Sequence, residues 1–173
     1  RQKHIAAGGE GAPLAVYGDY FIFSKKGEDR IMLNIGGIAN YTFLPGSLDA
    51  SKIFSTDTGP GNTLMDQYVQ KDFYLPYDKD AAIAKQGNVN EALLSALLED
   101  EFFAKPFPKT TGPELFNLAY VEKAIDAAGQ MGISSYDVMA TLNRLTAVTI
   151  VEAIQKGQEM IGHKQLSIYS SGG

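Results

Sequence analysis

Apolar positions alternate with polar ones in short runs along the first third of the chain, and from about residue 62 onward they recur at helical spacing. The stretch 14–23 is rich in aromatic and β-branched residues around Gly18-Asp19, which predicts a hairpin or strand pair. After the polar turn Lys25-Lys26-Gly27-Glu28-Asp29, two apolar runs flank Gly36-Gly37, and a tight hairpin is expected there. A third short strand is expected over 52–56, ending at Asp57. Leu64, Met65, Tyr68 and Val69 then mark a helix, with Pro60 and Gly61 as a breaker and Asn62 as its N-cap. Two short helices are expected over 78–85 and 90–98, a loop over 105–112 and a helix over 117–128 closed by Gly129. Ser134 or Ser135 caps a long helix to about Lys156 that is apolar on most sides, as buried helices are. An alternating strand at 166–169 follows. This order points to an α/β sheet whose first three strands form a meander.

Composition narrows the chemistry. The chain has 173 residues, 45% of them hydrophobic and 20% charged, which suits a packed soluble fold rather than disorder. A net charge of −5 without a Lys/Arg cluster argues against a nucleic-acid partner. No apolar run reaches the ~20 residues that a bilayer span needs, so no membrane partner is expected. With no cysteine and only His4 and His163, neither a thiolate nor a histidine metal site is assignable. No G-x-S-x-G elbow appears.

Four segments carry candidate chemistry. In Leu33-Asn34-Ile35-Gly36-Gly37-Ile38-Ala39-Asn40, the glycine pair lets backbone N–H groups converge on an anion, and Asn34 and Asn40 add donors. A purely structural hairpin turn is the alternative. In Ser55-Thr56-Asp57-Thr58-Gly59-Pro60-Gly61-Asn62, a carboxylate at a strand end meets a helix start whose free N–H groups suit an anion. Asp57 is then either a general base or the cap of the turn. The glycine-rich loop Ala6-Ala7-Gly8-Gly9-Glu10-Gly11-Ala12-Pro13-Leu14 implies close approach to a ligand, or else a chain end. The run 109–117 offers Lys109, two threonines and Glu114 to a carbohydrate, or a capping box from Thr111 to Glu114.

Together and in this order, these segments resemble the anhydro-N-acetylmuramic acid kinase family. The match also includes Leu64-Met65-Asp66, Tyr77-Asp78-Lys79-Asp80, the run 110–117, and Ala140-Thr141-Leu142 through Leu145-Thr146-Ala147. The meander, and the resemblance with it, implies a ribonuclease-H-like lobe of the actin, hexokinase and Hsp70 superfamily. Residues 30–173 would form an incomplete second lobe with a helical insertion at about 78–130, and residues 1–29 part of the preceding connection. Both ends are expected to be cuts, and the chain alone is expected to turn over no sugar.

The resemblance implies a bacterial cytoplasmic enzyme of murein recycling that uses ATP and Mg2+. It would open the 1,6-anhydro bond of the muramic sugar and phosphorylate O6. Asp57 corresponds to the general base. Asn34, Gly36, Gly37, Asn40, Gly172 and Gly173 would serve ATP and its phosphates. Gly8, Gly9, Gly11, Thr58, Gly59, Pro60 and Asn62 would line the sugar cleft, and the parent is allowed to be a homodimer. His4, Glu10 and Pro113 depart from the family's acidic residue, Gln and Arg, and its N-terminal Ser-Gly-Thr-Ser loop is absent. Two alternatives remain open: a kinase of another sugar on this fold, and a non-enzymatic actin- or Hsp70-like module.

Overall fold

The computed structural model describes residues 13–130, 132–162 and 165–173. Among these residues four strands form one mixed sheet: β1 (Asp29–Ile35), β2 (Ile38–Leu44), β3 (Phe54–Pro60) and β4 (Leu166–Gly172). Their order is β3-β2-β1-β4, with β1–β2 and β2–β3 antiparallel and β4 parallel to β1. The meander and the hairpin at Gly36-Gly37 match the expectation. Among the described residues the α-helices are α1 (Pro13–Phe23), α2 (Thr63–Asp72), α3 (Glu91–Leu98), the short α4 (Glu101–Ala104), α5 (Leu118–Ala127) and the 26-residue α6 (Ser135–Met160).

The all-round apolarity of α6 has a specific cause. Its first half, with Val138, Met139, Leu142 and Leu145, closes a helical core with Leu64 and Val69 of α2, Leu93 and Leu97 of α3, and Phe102 and Phe116. Its second half, with Ile150 and Ala153, covers one sheet face made of Ile31, Leu33, Ala39, Tyr41 and Phe43. Tyr41 is fully buried and its hydroxyl donates to the Ala153 carbonyl at 3.2 Å. That approach needs a glycine one turn on: a Cβ at Gly157 would lie 2.3 Å from the Tyr41 hydroxyl oxygen. Side-chain caps start three helices, Asn90 for α3, Asn117 for α5 and Ser134 for α6, whereas the expected cap Asn62 of α2 has helical φ and ψ and makes no side-chain cap bond.

Several expectations are corrected. The stretch 14–23 is not a hairpin but lies within helix α1, with Pro13 at its first position and Phe21 and Ile22 exposed. Arg30 on β1 caps its last turn, donating from Nη1 to the Phe23 carbonyl at 2.7 Å. The stretch 78–85 is not a helix but two 3-10 turns, Lys79–Ala81 and Ala84–Gln86. The Asp78 carboxylate takes the N–H groups of Ile83 and Ala84, and Asp80 and Ala81 adopt positive φ, which interrupts α-helical bonding. The third strand runs on through Asp57 to Pro60, so Asp57 lies within it rather than at its end. The last strand likewise runs past Tyr169: β4 keeps pairing with β1 to Gly172.

Candidate active site

Alternation fixes which side chains share a face. Leu33, Ile35, Ala39 and Tyr41 pack toward α6, so Asn34 and Asn40 project from the opposite face. The register sets Asn34 opposite Asn40, Asn40 opposite Asp57, and Ser171 of β4 opposite Asn34. Four polar side chains from four adjacent strands thus stand in one row. A bulge between Ala39 and Asn40 shifts the pairing, with Ala39 meeting Gly59 and Asn40 meeting Asp57. Thr58 is the residue this bulge leaves over. It is 1% exposed, and its hydroxyl donates to the Ala39 carbonyl. Thr58, Gly59 and Pro60 therefore form the wall behind Asp57 rather than its open side.

Asp57 is half-buried and braced at the sheet edge by residues 109–111. Its N–H donates to the Lys109 carbonyl at 2.9 Å, and its Oδ2 accepts the Thr111 N–H at 2.8 Å. The expected capping box from Thr111 to Glu114 does not form. The Thr111 N–H is already committed to Asp57, Glu114 folds back into the space beside Gly112, and α5 begins only at Leu118. The buried Lys109 turns inward, away from any carbohydrate, and donates to the Phe102 and Phe103 carbonyls.

The hairpin sits at the same end of the sheet as the polar row. Its two carbonyls accept from the start of α2: Asn62 N–H donates to Gly36, and Gly61 and Thr63 N–H donate to Gly37. This corrects the expectation that the helix start offers those N–H groups to an anion. Neither Gly36 nor Gly37 adopts positive φ, and a Cβ at either would meet nothing nearer than 3.4 Å. Backbone strain therefore does not demand the glycine pair; the space beside it is open. Gly172 pairs with Ile35, and the Gly173 N–H donates to the Ile35 carbonyl at 3.2 Å, which brings the second glycine pair beside the first. Gly37 and Gly173 line one hollow of about 570 Å³ together with Asn62, Asp66, Tyr77 and Asn143. Burial pushes the Asp66 carboxyl above its ordinary range.

The family model for anhydro-N-acetylmuramic acid kinase matches residues 1–173. The chain belongs to the anhydro-N-acetylmuramic acid kinase family. Relatives of that name include one from Pseudoalteromonas atlantica, 58% identical over 174 residues, which cover 100% of this chain and 43% of the relative. A second, from Pseudoalteromonas translucida, is 56% identical over the same span. A third, from Neisseria meningitidis serogroup C, is 47% identical over 154 residues, 89% of this chain and 40% of the relative. The chain thus spans less than half the length of these kinases. Gly8, Gly9 and Gly11, with the departures at His4 and Glu10, lie outside the described residues. Sequence reasoning missed Lys109 and Thr111 as partners of Asp57; a lysine among Phe102, Phe103 and Phe107 was the available signal. Among the described residues no helix is long and apolar enough to cross a membrane.

Proposed function

We propose that the full-length protein is an ATP-dependent kinase of anhydro-N-acetylmuramic acid, yielding N-acetylmuramic acid 6-phosphate. The observation that carries this reading is the row Asn34–Asn40–Asp57, in register across three strands at the end of the sheet that bears both glycine pairs. Asp57 takes a proton from the water that attacks the anomeric carbon. The anhydro C1–O6 bond breaks, and O6 receives the phosphoryl group that ATP supplies. Asn40, directly opposite Asp57, adds an amide on the same face. The match to kinase relatives does not favour another sugar or a non-enzymatic module.

The hollow beside Gly37 and Gly173 suits the nucleotide, because open space at a glycine pair is where a polyphosphate approaches backbone. Asp66 and Asn143 line it with an acceptor and an amide that suit ribose hydroxyls or a hydrated cation. Among the described residues no group of three or more His, Cys, Asp or Glu could hold a metal ion. Mg2+ would therefore take most of its oxygen ligands from phosphates and water, as it does in many phosphoryl-transfer sites. The β3-β2-β1-β4 order, with β4 parallel, supports the ribonuclease-H-like reading, in which 30–173 belong to the second lobe and 78–130 to its insertion. A bacterial cytoplasmic location and a homodimeric parent belong to the same proposal.

The direct test incubates the full-length protein with anhydro-N-acetylmuramic acid, ATP and Mg2+, then identifies the product by mass spectrometry and phosphorus NMR. A phosphomonoester at O6 with an opened anhydro ring is expected. A phosphorylated product that keeps the anhydro bond would overturn the reading. Gly37→Ala separates binding from folding. Its methyl would meet Thr63 at 3.9 Å, an ordinary contact. Stability should stay within about 0.5 kcal/mol. ATP affinity, measured by calorimetry, should fall about tenfold or more, because the methyl occupies space the phosphates need.

A further inference from the structure

Among the described residues, Lys109 is the only charged side chain that is buried, at 8% exposure. Its Nζ donates to the carbonyls of Phe102 at 2.8 Å and Phe103 at 3.2 Å, at the end of α4. It lies 4.2 Å from the Phe102 ring centroid and 5.5 Å from that of Phe107. Burial pushes its pKa down to about 8, with Lys156 and Lys105 adding to the shift. A chain that needed only to fill this space would do so with methionine or leucine, which carry no charge to desolvate.

What the ammonium holds is the segment beside Asp57. The backbone of Lys109 is latched to the sheet edge at both polar atoms. Its N–H donates to Thr56 Oγ1 at 3.1 Å, and its carbonyl accepts from the Asp57 N–H at 2.9 Å. Two residues on, the Thr111 N–H meets Asp57 Oδ2 at 2.8 Å. Between them, side chain and backbone tie α4, the loop and β3 into one bracket around the carboxylate. We propose that Lys109 is a positioning residue for Asp57: by gripping the end of α4 it fixes residues 109–111 on β3 and sets the plane of the Asp57 carboxylate through Thr111. This rests on the reading of Asp57 as the general base. A base gripped by the Thr111 N–H keeps its orientation toward the attacking water, and small misplacements of such groups cost rate rather than affinity.

The test uses the full-length protein and the variants Asp57→Asn, Lys109→Met and Thr56→Val. Methionine keeps the stem among the phenylalanine rings but removes the donors; valine keeps the shape of Thr56 but removes the acceptor for the Lys109 N–H. Lys109→Met is expected to lower kcat roughly 10- to 100-fold, with both KM values within about twofold. In the Asp57→Asn background the same change should alter the residual rate less than about twofold, because its route to the reaction is already gone. A generally loosened structure would instead lower both backgrounds equally, and that result would overturn the proposal. So would unchanged kcat in folded Lys109→Met. If Lys109→Met does not fold, Thr56→Val decides, with lowered kcat supporting the proposal and unchanged kcat overturning it. Failure of the underlying reading shows separately, as full turnover in Asp57→Asn alone.

Discussion

Asp57→Asn in the full-length protein is expected to lower sugar phosphorylation roughly 10²- to 10⁴-fold, the usual contribution of a positioned general base. The substitution is nearly isosteric. An asparagine Oδ1 still accepts the Thr111 N–H, and the pairing of residue 57 with Asn40 on β2 is backbone-borne and unaffected. The negative charge and the capacity to take a proton are lost. The hollow lined by Gly37 and Gly173 does not include Asp57, so the dissociation constant for ATP should change less than about twofold. A coupled assay for turnover and calorimetry for ATP read the two effects independently. Wild-type turnover would remove Asp57 from the chemistry, and loss of ATP binding in parallel would recast it as a structural residue.

Gly61→Ala should have the largest effect on the fold at the site. A Cβ at Gly61 would lie 2.1 Å from the Gly36 carbonyl oxygen and 3.2 Å from the Ala39 nitrogen. Both obstacles are backbone atoms, so no side chain can swing aside. The clash falls on the seam where Gly61, Asn62 and Thr63 donate to Gly36 and Gly37. Prising this seam apart exposes those carbonyls and disturbs Thr146, whose hydroxyl donates to the carbonyls of Pro60 and Gly61. Overpacking of this kind costs about 1–3 kcal/mol, and the lost hydrogen bonds place Gly61→Ala at the upper end. Urea denaturation of the full-length protein measures the loss. The contrast with Gly37→Ala is the informative part: one glycine keeps neighbours together, the other keeps a space open. Equal stability of the two variants would contradict that division.

The sheet was legible because β1 and β2 are short apolar runs that Gly36-Gly37 punctuates. The long helix was legible because its apolar positions continue over many turns behind Ser134. Helix α1 was not, since Leu14 to Phe23 is mostly apolar around Gly18-Asp19 and carries no usable period. Pro13 at its first position is the local signal for a helix start. At the site, the candidates at 34, 36, 37, 40 and 57 came from two glycine motifs and the family resemblance. Their alignment was not legible, because it depends on a bulge between Ala39 and Asn40 that nothing in the local sequence announces. The commitments of the N–H groups of Gly61, Asn62 and Thr63, and the bracket around Asp57 from Lys109 and Thr111, arise from contacts between distant segments. Thr111 and Asp57 are 54 positions apart.

Helix α6 runs unbroken beneath both the strands and the helices α2, α3 and α5. A rod shared by two interiors makes them one thermodynamic body, because neither can come loose without stripping half of it bare. Thr146 and Thr149, near its middle, press against the backbone of Gly59 through Gly61. The packing of the other helices on its first half therefore bears on the strand that carries Asp57, because one helix makes both sets of contacts.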